Sequence, residues 1–252
     1  MTKEEALLRY ILRLGDNALI LGQRLVELVA HGPELEEEIA NANFSLDYFG
    51  QARMLYSYAG ELEGKGRMED DFAFKRTEAE FCNLLLIEQP NGHFGDTIVR
   101  SVLFEEFYHS QLDALTRCNH ARLAEIAALA IREIRYHLRH NSQWLIRLGD
   151  GTKESGAKAQ ASLEALWHFT GEMFEGDEVD QIIRDQFNGP KLSNLKKQWK
   201  ASISSLLKEA RLAIPVDRPM HNGGRSGRHT DHFEPLIKEM QYMQRTYPGL
   251  TW

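Results

Sequence analysis

Between Leu7 and Leu28 the apolar residues fall at Leu7, Ile11, Leu14, Ala18, Leu21, Leu25 and Leu28, spaced alternately four and three apart. That spacing gives a helix one apolar stripe and cannot serve a half-buried strand, whose side chains alternate every two residues. The helical period continues through most of the chain. The seven prolines (Pro33, Pro90, Pro190, Pro215, Pro219, Pro235 and Pro248) lie between or at the ends of these patterns, where a missing N–H and a fixed φ do least damage. No strand-like alternation bounded by hairpin turns occurs, and there is no short repeat or low-complexity tract. Long helices joined by short turns predict an all-α, up-down antiparallel bundle.

The elements follow from their start and stop signals. Thr2 and Glu5 form a capping-box pattern at the head of the first helix. "HGP" at 31–33 ends it. The second helix is expected to bury Leu35, Ile39, Ala42, Leu46 and Phe49 and to finish near "AGELEGKG". A third pattern opens near Asp71, breaks at "QPNGHFGD" and resumes behind Asp96 as an N-cap, with Ile98, Val102, Leu103 and Leu112 inward. The fourth, "ARLAEIAALAIREIRYHLRHNSQWLIRL", closes at Gly149. A fifth runs from Lys153 to Phe174, and a shorter pair lies at 178–187 and 191–210. The stretch 213–235, rich in Pro, Gly and His, reads as a surface loop before a last helix at 234–245. One domain over 1–252 is expected, with the core four-helix bundle in 1–149. Additional helices, the Gly/His-rich loop and the C-terminal helix then occupy 150–252.

Composition narrows the partners. At 252 residues and 42% hydrophobic, the chain can bury a sizeable core. Its formal net charge of −7 argues against nucleic acid or an anionic membrane as the main partner. No apolar run approaches the roughly 20 residues of a membrane-spanning helix, and "MTKEEALLRY" lacks a signal-peptide pattern. A cytoplasmic location is therefore expected. Two cysteines, Cys82 and Cys118, supply neither a zinc cluster nor a disulfide framework and read as buried thiols.

Glu106 and His109 form a Glu-x-x-His pair. Bundles that hold two irons take one Glu from each of two helices and Glu-x-x-His from each of the other two. The remaining helices do not supply that set. The first offers only Gln23 beside its stripe, and the second offers Asp47-x-x-Gly50. The fourth offers Glu133-x-x-Tyr136, with His137 one position late, about 100° around the helix. A metal-free polar core of Gln23, Asp47, Glu106, His109, Glu133 and His137 is the expected arrangement, its members satisfying one another by hydrogen bonds. No catalytic residue and no metal ligand is expected. His229-x-x-His232 and the "GGRSGR" loop with Arg225 and Arg228 are weaker candidates for a metal and a phosphate-bearing ligand; a solvated loop is the simpler reading. Met240, Tyr242 and Met243 are expected to pack against a neighbour.

"LGDNALILGQRLVELVAHGPELEEEIANANFSLDYFGQARML", "NLLLIEQPNGHFGDTIVR", "EIRYHLRHNSQWLIRLGDGT" and "EMQYMQRTYPGLTW" together resemble the phenylacetic acid catabolic family, from about residue 5 to Trp252. The resemblance implies a ferritin-like fold. It implies the role of the structural, non-catalytic C subunit in a bacterial multicomponent oxygenase that epoxidises the aromatic ring of phenylacetyl-CoA. One atom of O₂ would enter the ring and the other would leave as water. The implied partners are a catalytic A subunit holding the di-iron centre and the substrate, a small B subunit, and a reductase that draws electrons from NADPH. This chain would itself carry no cofactor. Carried over by position, the A subunit's metal pattern would fall near Gln23, Asp47, Gly50, Glu106, Glu133 and His137. A self-sufficient di-iron oxygenase with an atypical ligand set is the alternative, and an adaptor using the Gly/Arg/His loop is a third reading. Without its partner, a bundle with one open apolar face is expected to form a homodimer.

Overall fold

A computed structural model describes residues 1–216 and 218–250. Helix α1 (Lys3–Val26) begins at the predicted capping box: Thr2 Oγ1 accepts from Glu5 N, and Glu5 accepts from Thr2 N. Helix α2 (Leu35–Glu63) runs back along it and stops at Gly64 in the left-handed conformation. A short α3 (Glu69–Phe74) follows. The second long hairpin is α4 (Phe94–Leu115) and α5 (Ala121–Asp150). The closest packing is of α1 on α2 and of α4 on α5, and α2 lies antiparallel to α5. These four long helices make a ferritin-like bundle. Then come α6 (Lys153–Leu166), two 3₁₀ turns to Phe174, α7 (Glu178–Phe187), α8 (Leu192–Glu209), α9 (Phe233–Met240) and α10 (Tyr242–Thr246). Among the described residues there is no strand, and no helix is long and apolar enough to cross a membrane.

Two glycines let α1 lie close on α2. A Cβ at Gly15 would sit 2.6 Å from the Tyr56 ring, and one at Gly22 would sit 2.7 Å from the Phe49 ring. A single hydrophobic cluster joins all the long helices.

Helix α2 turns differently from the expectation. Its buried face carries Phe44, Tyr48, Gln51, Ala52 and Leu55, while Leu35, Ile39 and Leu46 are exposed. Both faces are apolar enough to be read as a core stripe, and the packing of α1 and α5 selects the other one. Asp96 is not the N-cap of α4. The helix begins three residues earlier, behind His93, and Asp96 sits in its first turn, accepting from His93 N at 2.9 Å. Helix α5 runs through Gly149 to Asp150, and the fifth pattern is helical only to Leu166. The last helix is split at Gln241, whose Nε2 donates instead to the carbonyls of Ala73 and Arg76. Tyr242 and Met243 are exposed rather than packed.

The apolar stretch "FCNLLLIEQ" at 81–89 is not the continuation of a helix begun at Asp71. It is an irregular strip of chain, largely buried between α1 and the C-terminal loop. Buried irregular backbone must find side-chain partners. Asp16 accepts from Cys82 N at 2.7 Å, Asn17 from Leu84 N at 2.9 Å and Glu172 from Leu85 N at 3.0 Å. Asp16 is also bound by the Arg76 guanidinium and, at 2.6 Å, by the Tyr56 hydroxyl. Polar residues on the helices thus hold a loop that secondary-structure signals alone cannot place.

Helix α9 takes up the last three residues of the expected 213–235 loop, and the described residues of 213–232 carry one 3₁₀ turn, but this is not a free solvated loop. Two buried carboxylates hold it. Glu172 accepts from Gly223 N at 2.9 Å and Arg225 N at 3.1 Å. Glu88 accepts from Thr230 N at 2.6 Å, Thr230 Oγ1 at 2.8 Å and Asn83 Nδ2 at 2.9 Å, and it meets His229 Nδ1 at 2.8 Å. The "GGRSGR" backbone therefore already cradles an anion, the chain's own Glu172, and Arg225 pairs with Asp180 at 2.5 Å. His229 spends both ring nitrogens, the second facing the Phe81 carbonyl at 3.1 Å. Neither feature is open to a phosphate or a metal.

Candidate functional site

A ferritin-like bundle holds its metals among its four long helices, and the polar side chains that meet one another in this interior come from α2, α4 and α5. Inward positions three apart on α2 carry Tyr48 and Gln51, and on α4 they carry Glu105 and Tyr108. On α5, Ile134, His137 and Asn141 face inward. All seven are buried, and Tyr48, Gln51, Glu105, Ile134 and His137 have no exposed surface at all.

These side chains close on one another. Glu105 accepts from Tyr48 Oη at 3.1 Å and from Asn141 Nδ2 at 2.9 and 3.1 Å. Tyr108 Oη donates to Gln51 Oε1 at 3.1 Å, and Gln51 Nε2 donates to Glu133 Oε2 at 2.8 Å. His137 Nε2 lies 2.9 Å from Asp47 Oδ2, and its ring is 4.2 Å from that of Phe44, centroid to centroid. Farther along the same seam, His140 Nε2 lies 2.9 Å from Glu37 Oε2.

Burial sets the charge state. It pushes the Glu105 carboxyl up to about 8, only partly opposed by the bonds from Asn141 and Tyr48. No cation contributes to that shift. Burial also raises the half-buried Glu133, with Gln51 opposing. It lowers His137, despite the pull of Asp47. The hydrogen bond to Asp47 assigns the His137 proton to Nε2, which leaves Nδ1 as a buried acceptor without a partner.

The sequence-predicted residues divide into two sets. Asp47, Glu133 and His137 come together at the α2–α5 seam. Gln23, Glu106 and His109 do not join them. Gln23 is half-buried in a cleft of about 480 Å³ between α1, α2 and α3, lined also by Phe49, Arg53 and Phe74. Glu106 and His109 are half-buried and form no side-chain hydrogen bond among those described. The interior acid on α4 is Glu105, one residue earlier and so about 100° around the helix. On α5 the offset is one residue in the other direction. His137 is the inward histidine, and three residues before it stands Ile134 rather than an acid.

This donor set does not fit two metal ions. A di-iron bundle offsets its cations with about four carboxylates and completes their coordination with two imidazoles. Where Glu-x-x-His would face inward, α2 has Tyr48-x-x-Gln51 and α5 has Ile134-x-x-His137. Glu105 is the one fully buried carboxylate here, and both its oxygens are engaged. No three His, Cys, Asp or Glu side chains converge as metal ligands among the described residues.

Comparison with known proteins decides the family. The family model described as phenylacetic acid catabolic protein matches residues 1–252. The chain belongs to that family. It is 46% identical over 243 residues to the C subunit of 1,2-phenylacetyl-CoA epoxidase from Escherichia coli (strain K12), a match that covers 96% of this chain and 98% of that protein. Within this member of the family, sequence reasoning missed Tyr48, Gln51, Glu105 and Asn141. The available signal was the pair Tyr48-x-x-Gln51, two polar groups at the same spacing as a metal-binding pair. It was hidden by placing the core of α2 on the Leu35–Leu46 face.

Proposed function

We propose that this chain is the structural, non-catalytic subunit of a multicomponent di-iron oxygenase that epoxidises the aromatic ring of phenylacetyl-CoA. In this reading it scaffolds a catalytic A subunit that holds the metals, in a complex completed by a small B subunit and a reductase. The chain itself binds no cofactor. One observation carries the reading: the polar groups at the metal position are bonded to one another, and three positions that need acids or imidazoles hold Tyr48, Gln51 and Ile134. Nothing is left there to bind or activate oxygen. The E. coli relative bears the name of a lettered subunit, which supports assembly with other chains.

The test is elemental analysis of the purified chain together with reconstitution. Far less than one iron per chain is expected, with no turnover of phenylacetyl-CoA by this chain and reductant alone. Stable co-purification with the A subunit is expected as well. Two irons per chain, with an oxygen-dependent absorption band, would overturn the reading in favour of a self-sufficient oxygenase.

A further inference from the structure

A cleft of about 320 Å³ opens between the 3₁₀ turn at Trp167–Phe169, α8 and the chain that follows Leu212. Most of its lining is apolar. Trp199 and Ile203, one turn apart on α8, are both buried beneath it. Trp167 lies against them, its ring 5.5 Å from that of Trp199, centroid to centroid. Ile214 and Pro215 add the loop's share, and Ile214 is more than half exposed. The polar lining comes from Lys200 and Ser204, exposed and again one turn apart, in the row of α8 beside Trp199 and Ile203.

The polar groups here are one-sided. The Lys200 ammonium and the indole N–H groups only donate, and the Ser204 hydroxyl can donate. Trp199 Nε1 spends its proton on the Leu103 carbonyl at 2.9 Å. Trp167 Nε1 is buried with no partner, an unmade bond of a kind folded chains ordinarily avoid. Among the described residues, no carboxylate lines the cleft. We propose that it binds a small aromatic carboxylate, the ring against the two indoles and the carboxylate on Lys200. The volume selects a small ligand, since ligand sites run from roughly 300 to 1,000 Å³. The indoles select a ring, because aromatic pairs gain more than their buried area alone provides. The donors select an anion: a carboxylate accepts from Lys200 and Ser204, whereas a cation would leave both unpaired. None of the lining residues belongs to the polar core around Glu105, and the proposal stands whether or not the chain has the structural role given above.

The experiment uses the full-length chain with nitrogen-15 in its indoles, which gives four indole N–H signals, one for each tryptophan. Trp167→Phe assigns the signal of Trp167. Phenylacetate is the probe. It is expected to move that signal to saturation with a Kd on the order of 1 mM, as suits a ligand of about ten non-hydrogen atoms. Acetate at the same concentrations should leave the signal in place. Lys200→Met keeps the stem and removes the charge, and Ile214→Asp sets a like charge beside the ligand. Both positions are exposed, so each variant should keep the wild-type circular-dichroism melting curve and bind phenylacetate at least about 10-fold more weakly. Phenylacetamide, which has the shape without the charge, should show the same loss. Phenylacetyl-CoA, its carboxyl masked as a thioester, distinguishes the free acid from its activated form and should leave the signal in place. An unmoved Trp167 signal far above the expected Kd overturns the site. Wild-type affinity in Lys200→Met, or equal shifts with acetate or phenylacetamide, overturns the carboxylate and with it the proposal. Movement by phenylacetyl-CoA in preference to phenylacetate assigns the cleft to a thioester and also overturns it. Each of these outcomes leaves the proposed structural role standing.

Discussion

The buried acid at the centre of the bundle gives the sharpest test. Glu105 has an ordinary carboxyl value of 4.5 when unfolded and about 8 when folded. Between those values the folded chain holds a proton that the unfolded chain releases, so stability falls as pH rises. The contribution is fully present below about pH 4.5 and lost as pH climbs through about 8. Each pH unit in that window is worth about 1.4 kcal/mol, or on the order of 3 kcal/mol between pH 4.5 and pH 7. Glu105→Gln removes the titration. Gln keeps an acceptor for Tyr48, and Asn141 satisfies its amide by rotating its own. Urea unfolding followed by circular dichroism at pH 5, 6, 7 and 8 checks this. The variant should lie within about 1 kcal/mol of wild type at pH 5 and exceed it by several kcal/mol at pH 8. Glu133 titrates in the same direction in both proteins and cancels in the comparison. A wild-type minus variant difference that stays constant across the series would show that Glu105 is ionised in the folded core, and the reasoning would fail. Glu105→Ala separates charge from bonding: it leaves Tyr48 and Asn141 without their acceptor and should cost about 1–3 kcal/mol at every pH.

Two further perturbations test how the irregular segments are held. Asp16→Asn strips the buried Arg76 of its carboxylate partner and weakens the bonds to Tyr56 and Cys82 N; a loss of about 3–5 kcal/mol in chemical denaturation is expected. Glu172→Ala frees the amides of Leu85, Gly223 and Arg225 at once. Cleavage by a protease within 213–232 should then outpace wild type well before global unfolding, and simultaneous loss of the whole fold would show that Glu172 supports more than the loop.

The helical class, the order of the elements and the capping of α1 were legible because each is written locally, in spacing and in the residue at a helix end. Helix phase was not. On α4, Glu105 and Glu106 stand side by side, and either could face inward by the pattern of the helix alone. What places Glu105 inside is Tyr48 on α2 and Asn141 on α5, residues 57 and 36 positions away. The buried strip at 81–89 was likewise illegible, since the partners that let it stay irregular are Asp16, Asn17 and Glu172, none of them near it in sequence.

The error on α2 was informative. A stripe of Leu35, Ile39 and Leu46 at helical spacing satisfies every local criterion for a core face, yet the fold buries the opposite side. Apolar spacing reports that a face is kept from water, not which body covers it. In a chain that works alone the two are the same, and the stripe would have marked the core. Here the bundle already has a complete interior at Phe44, Tyr48, Ala52 and Leu55, so a second stripe has no use within the fold. Exposing it incurs aggregation and self-association liabilities that monomeric proteins avoid. The Asp47–His137 and Gln51–Glu133 bonds join α2 to α5 away from that stripe, Gln51 standing about 140° around α2 from Leu46. Those bonds brace α2 against α5 whatever covers the stripe, so Leu46→Asp should leave the circular-dichroism melting curve and the core bonds of Glu105 unchanged.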